Sequence, residues 1–531
     1  MSKSPSPAAG PPGAAPAVDP DKLDATVLKI SAVVVLGAIM SILDITVVSV
    51  ALPTFQQVFG SDGVPQTYAA VAWTMTAYTL ALATVIPVTG WASDRFGTKR
   101  LYIVALVLFI LGSVACAFAW DLPSLIGFRV LQGLGGGMLM PLGMTIMTRA
   151  AGPRRIGRVM AVLGVPMLLG PIAGPILGGW LIEVASWHWI FIINLPLGII
   201  ALIVTLKVLP SDAPKPSESF DFVGMLLLSP GLALFLFGVS SIPEAGTVAA
   251  TKVLVPGLIG LALVVAFVFH ALRKKGALID LSLFKNRQLT IAVITMAIFI
   301  VAFMGSGLLF PSYFMQVRGE STLMAGLLIA PQGLGAMLTM PLAGKLVDKI
   351  GPGKIVIVGL ALIAVGMGSF SQLSADTSYW ILGGSLAVMG MGMGATMMPL
   401  MTAALATLTD HQIARGSTLM NIVQQTAGSI GTAVMSVVLT AQLASHALAS
   451  PAIASQADEQ AASMFNLSPA QMLEGLGQAA DSFGVTFLLA TALVLVALIP
   501  TFFLPRKPIS PPSADDADAA ANPAASAAMM H

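Results

Sequence analysis

Apolar residues in this chain gather into long runs, and short polar segments separate them. Fourteen runs approach the length of about 20 residues that carries a helix across a bilayer. Their predicted limits are 28–52, 69–92, 100–119, 123–148, 156–182, 188–209, 221–241, 253–272, 289–314, 323–347, 354–373, 378–406, 415–442 and 483–504. The stretch ahead of them, MSKSPSPAAGPPGAAPAVDPDKLDATV, is rich in Pro, Ala and Gly and lacks the apolar core of a cleavable signal. It and the closing PPSADDADAAANPAASAAMMH are expected to be disordered tails. The segment 443–482 holds Asp458, Glu459, Glu474 and Asp481 without Lys or Arg, and should form short helices at the outer surface.

Composition sharpens this picture. Hydrophobic residues make up 56% of the 531 and charged residues 9%. A soluble domain carries about 25% charge. The predicted class is an all-α polytopic membrane protein. The net charge of +2 identifies no partner, and no nucleic acid is expected. The one cysteine, Cys116, allows no internal disulfide, and five scattered histidines give no metal site.

The basic residues orient the spans. With the N-terminus placed in the cytoplasm, 23 of the 26 Lys and Arg fall on the inner side. Only Lys252 and Arg318 fall outside, and Arg129 falls within a span. Cytoplasmic segments retain positive charge, so both termini are expected inside.

A charged phrase interrupts this apolar text twice. GWASDRFGTKR at 90–100 returns as GKLVDKIGPGK at 344–354, in the same register and 254 residues later. Both copies lie at inner span ends, eight spans apart. GLGGGMLMPL (133–142) and MGMGATMMPL (391–400) echo each other across the same eight spans. The chain is therefore expected to hold two homologous six-helix bundles, 28–209 and 289–505, joined by two inserted helices within 210–288. The tails are 1–27 and 506–531. Paired halves of this kind are a transporter architecture. In the phrase, Gly90 and Gly97 permit close approach and a sharp turn. Asp94 can meet a helix N-terminus or an Arg. Arg95 lies at the anionic leaflet. With Asp348 and Gly351 in the second copy, these residues form a candidate conformational latch. The alternative is a plain positive-inside anchor with a glycine turn.

Asp44 and Arg129 are ionisable residues well inside spans. At 1.5 Å per residue they lie about 14 and 10 Å below the outer ends of the first and fourth spans. Their depths match closely enough to pair. A lone charge there costs about 2.5–3.5 kcal/mol, so a partner is expected. If motion of Arg129 changes the proton affinity of Asp44, the pair can couple protons to conformation. A static ion pair is the alternative. Gln132 shares the Arg129 face and can bind Asp44, a polar ligand or simply another helix. In the fifth span Gly170, Gly174 and Gly178 recur every four residues, with Pro175 and Gly179 beside them. Such a stripe packs closely and bends, which can seal a cavity between halves or serve packing alone. Trp73, Tyr78, Gln332 and Met398 are candidate cavity residues. The methionines of span twelve suit a surface that accepts many shapes, or ordinary core packing.

These stretches resemble a known family. GxxxDRxGxKR after span two resembles motif A of the major facilitator superfamily. LDITVVSVALP (43–53), RVLQGLGGG (129–137), GPIAGPILGG (170–179) and SWHWIFIINLPLG (186–198) are similar to motifs of its fourteen-span drug:proton antiporter branch, the EmrB/QacA-like proteins. His188 stands where Arg is usual, and Ala161 where the antiporter motif opens with Gly. The resemblance implies a major facilitator fold of 6+2+6 helices and a proton-coupling role for Arg129. It implies efflux through the antiporter motif. The expected function is proton-coupled, multidrug-type efflux of amphipathic or hydrophobic compounds by alternating access. A dedicated exporter of a physiological lipid, fatty acid or metabolite is the alternative, and a channel is a third reading that the paired halves and the antiporter motif argue against. No nucleotide loop or nucleophile–base set points to an enzyme. No cofactor beyond the proton gradient is expected. The expected setting is the plasma (inner) membrane, as a multi-pass monomer in contact with lipid, small-molecule substrates and protons. A periplasmic adaptor would be needed only in a Gram-negative envelope.

Overall fold

An apolar run that hydrogen-bonds its own backbone as a helix leaves no polar group facing lipid. In the computed structural model the apolar runs are helical. It describes residues 25–60, 66, 68–151, 155–210, 220–245, 247–274, 276–408, 410–457 and 463–507. The helices are α1 (Ala25–Val58), α2 (Tyr68–Phe96), α3 (Thr98–Ala117), α4 (Leu122–Ala151), α5 (Ile156–Val184), α6 (Trp189–Ile192), α7 (Asn194–Val208), α8 (Phe222–Ser240), α9 (Ile242–Ala245), α10 (Thr251–Arg273), α11 (Arg287–Gln316), α12 (Thr322–Ile350), α13 (Pro352–Ser369), α14 (Tyr379–Gly394), α15 (Met397–Leu405), α16 (Asp410–Ser445), α17 (Ala449–Ala457) and α18 (Pro469–Thr501). Among the described residues there is no strand. Thirteen helical stretches among them are long and apolar enough to span a membrane. The expected fourteenth, α5, is a 29-residue helix outside that set.

Several boundaries differ from the pattern, each for a local reason. Helix α1 begins at Ala25, inside the segment expected to be a tail. The sixth span is two pieces, α6 and α7, meeting at Ile193. The twelfth breaks between α14 and α15 at Ala395–Thr396. The last helix starts fourteen residues before the predicted limit, because Ser468 and Gln471 close a reciprocal capping box ahead of the apolar run. At about 50 Å, α18 is longer than a bilayer core of about 30 Å, so its first turns belong to the surface segment expected at 443–482. The short helix α17 lies in that segment too.

Helices α1, α2, α3 and α5 pack on α4, α6 and α7 pack on α1 and α3, and α11–α18 pack as a second group. The first group closes tightly because the GLGGG of α4 carries no side chains. A Cβ at Gly133 or Gly137 would overlap the α2 backbone, and one at Gly135 the α3 backbone. The two groups meet along α2 with α16 and along α5 with α12. Between α7 and α11, α8 and α10 form an antiparallel hairpin. Helix α8 touches both α2 and α16 and so bridges one of the two seams.

The hairpin is pinned at the end where α8 begins. Asp221, almost wholly buried, accepts hydrogen bonds from the Gly224 amide (3.0 Å), His270 Nε2 (2.8 Å), Lys274 Nζ (2.8 Å) and the Leu278 amide (3.1 Å). Burial raises the pKa of this carboxyl. The bonds from Lys274, His270, Gly224 and Leu278 outweigh that and hold it at about 2.

Candidate functional site

Four helices of the first group converge on one carboxylate. Asp44 of α1 and Arg129 of α4 are fully buried as side chains and joined by a hydrogen bond from Arg129 Nη1 to Asp44 Oδ2. Gln132, one turn after Arg129, donates from Nε2 to Asp44 Oδ1 at 2.7 Å and accepts from Arg129 Nη1 at 2.7 Å. Its Nε2 also donates to Ser113 Oγ of α3 at 2.6 Å. Asn194, the first residue of α7, donates from Nδ2 to Asp44 Oδ1 and to Ser113 Oγ, each at 3.3 Å. Each carboxylate oxygen is thus held by at least one donor. A hydrogen bond to a charged group contributes about 1.5–3 kcal/mol.

The guanidinium has further acceptors. Arg129 Nε donates to the Thr74 carbonyl of α2 at 3.0 Å. Its Cζ stands 4.2 Å from the centre of the Tyr78 ring and 5.9 Å from that of Phe191. The Tyr78 hydroxyl pairs with Ser41 of α1 at 3.1 Å. Arg129 Nη2, by contrast, is buried with no hydrogen-bond acceptor among the described residues. A buried unsatisfied donor costs about 1–3 kcal/mol, so this is where a new acceptor gains most. The single cysteine, Cys116, is buried beside this network, 3.7 Å from Gln132 Oε1.

The structure brings together three of the expected residues, Asp44, Arg129 and Gln132, and puts Tyr78 beneath them. The other cavity candidates lie elsewhere. Trp73 stacks on Phe237 of α8, 5.4 Å between centroids, and so faces the inserted hairpin. Met398 is buried on α15, where it and Met340 of α12 crowd Gly164 of α5. Gln332 is half-buried, with its backbone against Gly390 of α14. Among the described residues no hydrogen bond joins these three to the Asp44 network. The network's remaining members, Ser113, Asn194 and the Thr74 carbonyl, escaped the sequence reading. An amide inside the run IFIINLPLG, with Gly four residues on, was the available signal for Asn194.

The glycine stripe of α5 packs on α1 of its own group, not across the seam between groups. Gly170 and Gly174 face Ile42 and Thr46, and Gly178 faces Val47. Thr46 Oγ1 donates to the Gly170 carbonyl at 3.1 Å. Nothing lies where a Cβ of Gly179 would be, and the Pro175 side chain is outside the described residues. The charged phrases behave more alike. Gly97 and Gly351 both turn the chain with positive φ, 87° and 85°. Asp94 is buried and accepts from Arg149 Nη2 of α4 at 3.4 Å, while Arg149 Nη1 donates to Thr98 at 2.8 Å. Gly90 sits against Thr418 and the backbone of Ala414 and Arg415, at the start of α16. Arg95 is exposed. The side chain of Asp348 is outside the described residues. No group of three or more His, Cys, Asp or Glu that could hold a metal occurs among the described residues.

Residues 34–432 match the Major Facilitator Superfamily family model. The chain belongs to the Major Facilitator Superfamily. A "Multidrug resistance protein B homolog" of Mycobacterium tuberculosis is 51% identical over 506 residues, 92% of either chain. The "Multidrug export protein EmrB" of Haemophilus influenzae is 30% identical, covering 75% of this chain and 77% of that one. The "Putative multidrug resistance protein MdtD" of Salmonella typhi is 31% identical, covering 77% and 85%. These relatives place the chain in the EmrB/QacA-like branch. Among solved structures, the human organic anion transporter MFSD10 superposes with a TM-score of 0.59 at 17% identity, over 88% of this chain and 99% of that one. The proton:xylose symporter XylE superposes with 0.57 at 15% identity, over 89% and 96%. At such identities the likeness speaks for the fold. This Major Facilitator Superfamily member is a multi-pass membrane transporter whose relatives carry multidrug-efflux names.

Proposed function

We propose that this transporter exports amphipathic or hydrophobic compounds in exchange for protons, by alternating access of two six-helix halves. The fourteen-span arrangement, the cytoplasmic termini and the inner-membrane setting belong to the same reading. The observation that carries it is the buried Asp44–Arg129 pair. A protonated Asp44 would strand a cation if Arg129 had no other acceptor. The Thr74 carbonyl, Gln132 Oε1 and the Tyr78 face provide others, so the site can hold Arg129 in both protonation states of Asp44. The side on which α2 ends is then the cytoplasmic side. The contacts of Gly90 with α16 and of Gly164 with α12 and α15 would have to part whenever the cavity opens inward.

An imposed inward proton gradient supplies about 2.3 kcal/mol per charge per 100 mV. The test is dye or drug movement in proteoliposomes with an imposed pH gradient. Wild type should exchange substrate only when the gradient is present. Asp44→Asn should insert normally and lose gradient-driven transport by at least about tenfold, the equivalent of 1.4 kcal/mol. Gradient-driven transport at the wild-type rate by Asp44→Asn would remove the carboxyl from coupling.

A further inference from the structure

We propose that Asn194 is a positioning residue of the proton site: its amide holds Asp44 and sets the pH at which that carboxyl takes up a proton. The inference deepens the proton-coupling reading and rests on it.

Helix α6 ends at Ile192 and α7 begins at Asn194, with Ile193 between them still at helical angles (φ −56°, ψ −28°), and this places Asn194 deep within an apolar run. It is nevertheless almost fully buried. A buried amide without partners is costly, and this one has two: Asp44 Oδ1 and Ser113 Oγ, each 3.3 Å from Nδ2. Four residues along, Gly198 lets α7 reach them. A Cβ there would overlap Ile110 of α3 and crowd Met40 of α1. The spacing N-L-P-L-G thus has a physical meaning. Pro196 lies in the first turn, where a missing N–H costs nothing, and Gly198 brings the helix in close. Asn194 is delivered to the carboxylate.

The titratable or charged groups facing Asp44 are Arg129 from α4, Tyr78 from α2 and Cys116 from α3. Helices α5 and α7 place their ionisable residues, Arg158, Glu183 and Lys207, only near their ends. The neutral amides of Gln132 and Asn194 are the remaining adjustable donors. Each amide nitrogen carries two hydrogens, one on Asp44 and one on Ser113 Oγ, so Ser113 braces both amides against the carboxylate. Two variants therefore test one sign. Removing the Asn194 donor disfavours the ionised carboxylate. Removing the Ser113 acceptor leaves one hydrogen of each amide unpaired, loosens both from Asp44 and disfavours it less.

The experiment is an infrared pH titration of the full-length protein in proteoliposomes. It reads the carboxylic-acid C=O band that Asp44→Asn abolishes. Asn194→Leu, of similar volume but without a donor, should move the midpoint of that band up by about one pH unit. Ser113→Ala should move it the same way by less. The midpoint of transport against pH should follow in each variant. A merely structural Asn194 would change melting temperature and leave both midpoints alone. An unmoved midpoint in a folded Asn194→Leu protein overturns the proposal. Where Asn194→Leu does not fold, Ser113→Ala decides, and an unchanged or lowered midpoint overturns it. A missing Asp44 band at every pH overturns it as well. If the band shifts as described while Asp44→Asn keeps gradient-driven exchange, Asn194 does position the carboxyl and the proton-coupling reading is what fails.

Discussion

The Asp44–Arg129 pair couples two side chains 85 residues apart without a water-facing atom between them. Arg129 acts there by shape as much as by charge. Its Nη1 serves Asp44 and Gln132 while Nε serves Thr74, a fork that a lysine ammonium cannot reproduce from one nitrogen. Arg129→Lys should therefore retain a minority of gradient-driven transport, and Arg129→Ala should lose it. Alanine also leaves a buried carboxylate unpaired, a change that costs about 3–5 kcal/mol. Initial rates at matched membrane abundance check the order, and equal near-wild-type rates for the two variants would sink it. The pair itself was readable beforehand, because a constant helical rise converts sequence position into depth. Gln132 was readable from its spacing after Arg129. Asn194 and Ser113 were not, since neither lies a helical turn from a charge and their convergence depends on helices that only tertiary packing brings together.

At the scale of elements, the contact of α1 with α5 is sensitive to bulk. A Cβ at Gly174 already overlaps Thr46, whose hydroxyl bonds to the Gly170 carbonyl. Overpacking of this kind costs about 1–3 kcal/mol. Gly174→Leu should lower transport strongly with modest loss of thermal stability, measured as energised dye efflux beside a melting curve. Full activity would mean that α1 and α5 have slack. The hairpin of α8 and α10 offers a second prediction. The Asp221 carboxyl is held at about 2, below the value of about 3.9 in an unfolded chain. A depressed folded value contributes stability above the unfolded one, and that stability is lost as pH falls from about 4 to 2. Asp221→Asn should then destabilise the detergent-solubilised protein by about 1–2 kcal/mol near pH 7, discounted because Lys274 and His270 are partly in solvent. The gap to wild type should close below pH 4 in melting curves, and a gap independent of pH would contradict the electrostatic origin. The helix breaks at Ile193 and Ala395 left no mark in hydropathy, which averages over a whole turn. The early start of α18 did leave one: S-P-A-Q at 468–471 is a capping pattern, followed by polar turns.

At the scale of the whole molecule, the doubled phrase is the feature the sequence displayed most openly, and its two glycines adopt nearly the same backbone angles 254 residues apart. If the halves repeat as proposed, equivalent residues face the same side of the membrane. Thr98 and Pro352 are buried within the turns, whereas Arg95 and Lys349 are exposed at matching positions. Single cysteines at Arg95 and Lys349, in a Cys116→Ser background, should react with an impermeant thiol reagent from the cytoplasmic face alone. Labelling of either one from outside would refute both the topology and the repeat.

The hairpin that bridges one seam has a mechanical consequence. A body in contact with two moving parts can travel with only one of them. Leu278, on the chain leading into α11, shares the Asp221 bonds, so that end of the hairpin is fastened to the segment that enters the second half. Toward the first half it presents an aromatic face, Phe237 on Trp73, which tolerates sliding better than a set of directed hydrogen bonds. The molecule therefore has a sprung edge and a bare one. With α8 laid over the line between α2 and α16, the line between α5 and α12 lies away from the hairpin, and if the halves alternate as proposed the stroke should be widest there.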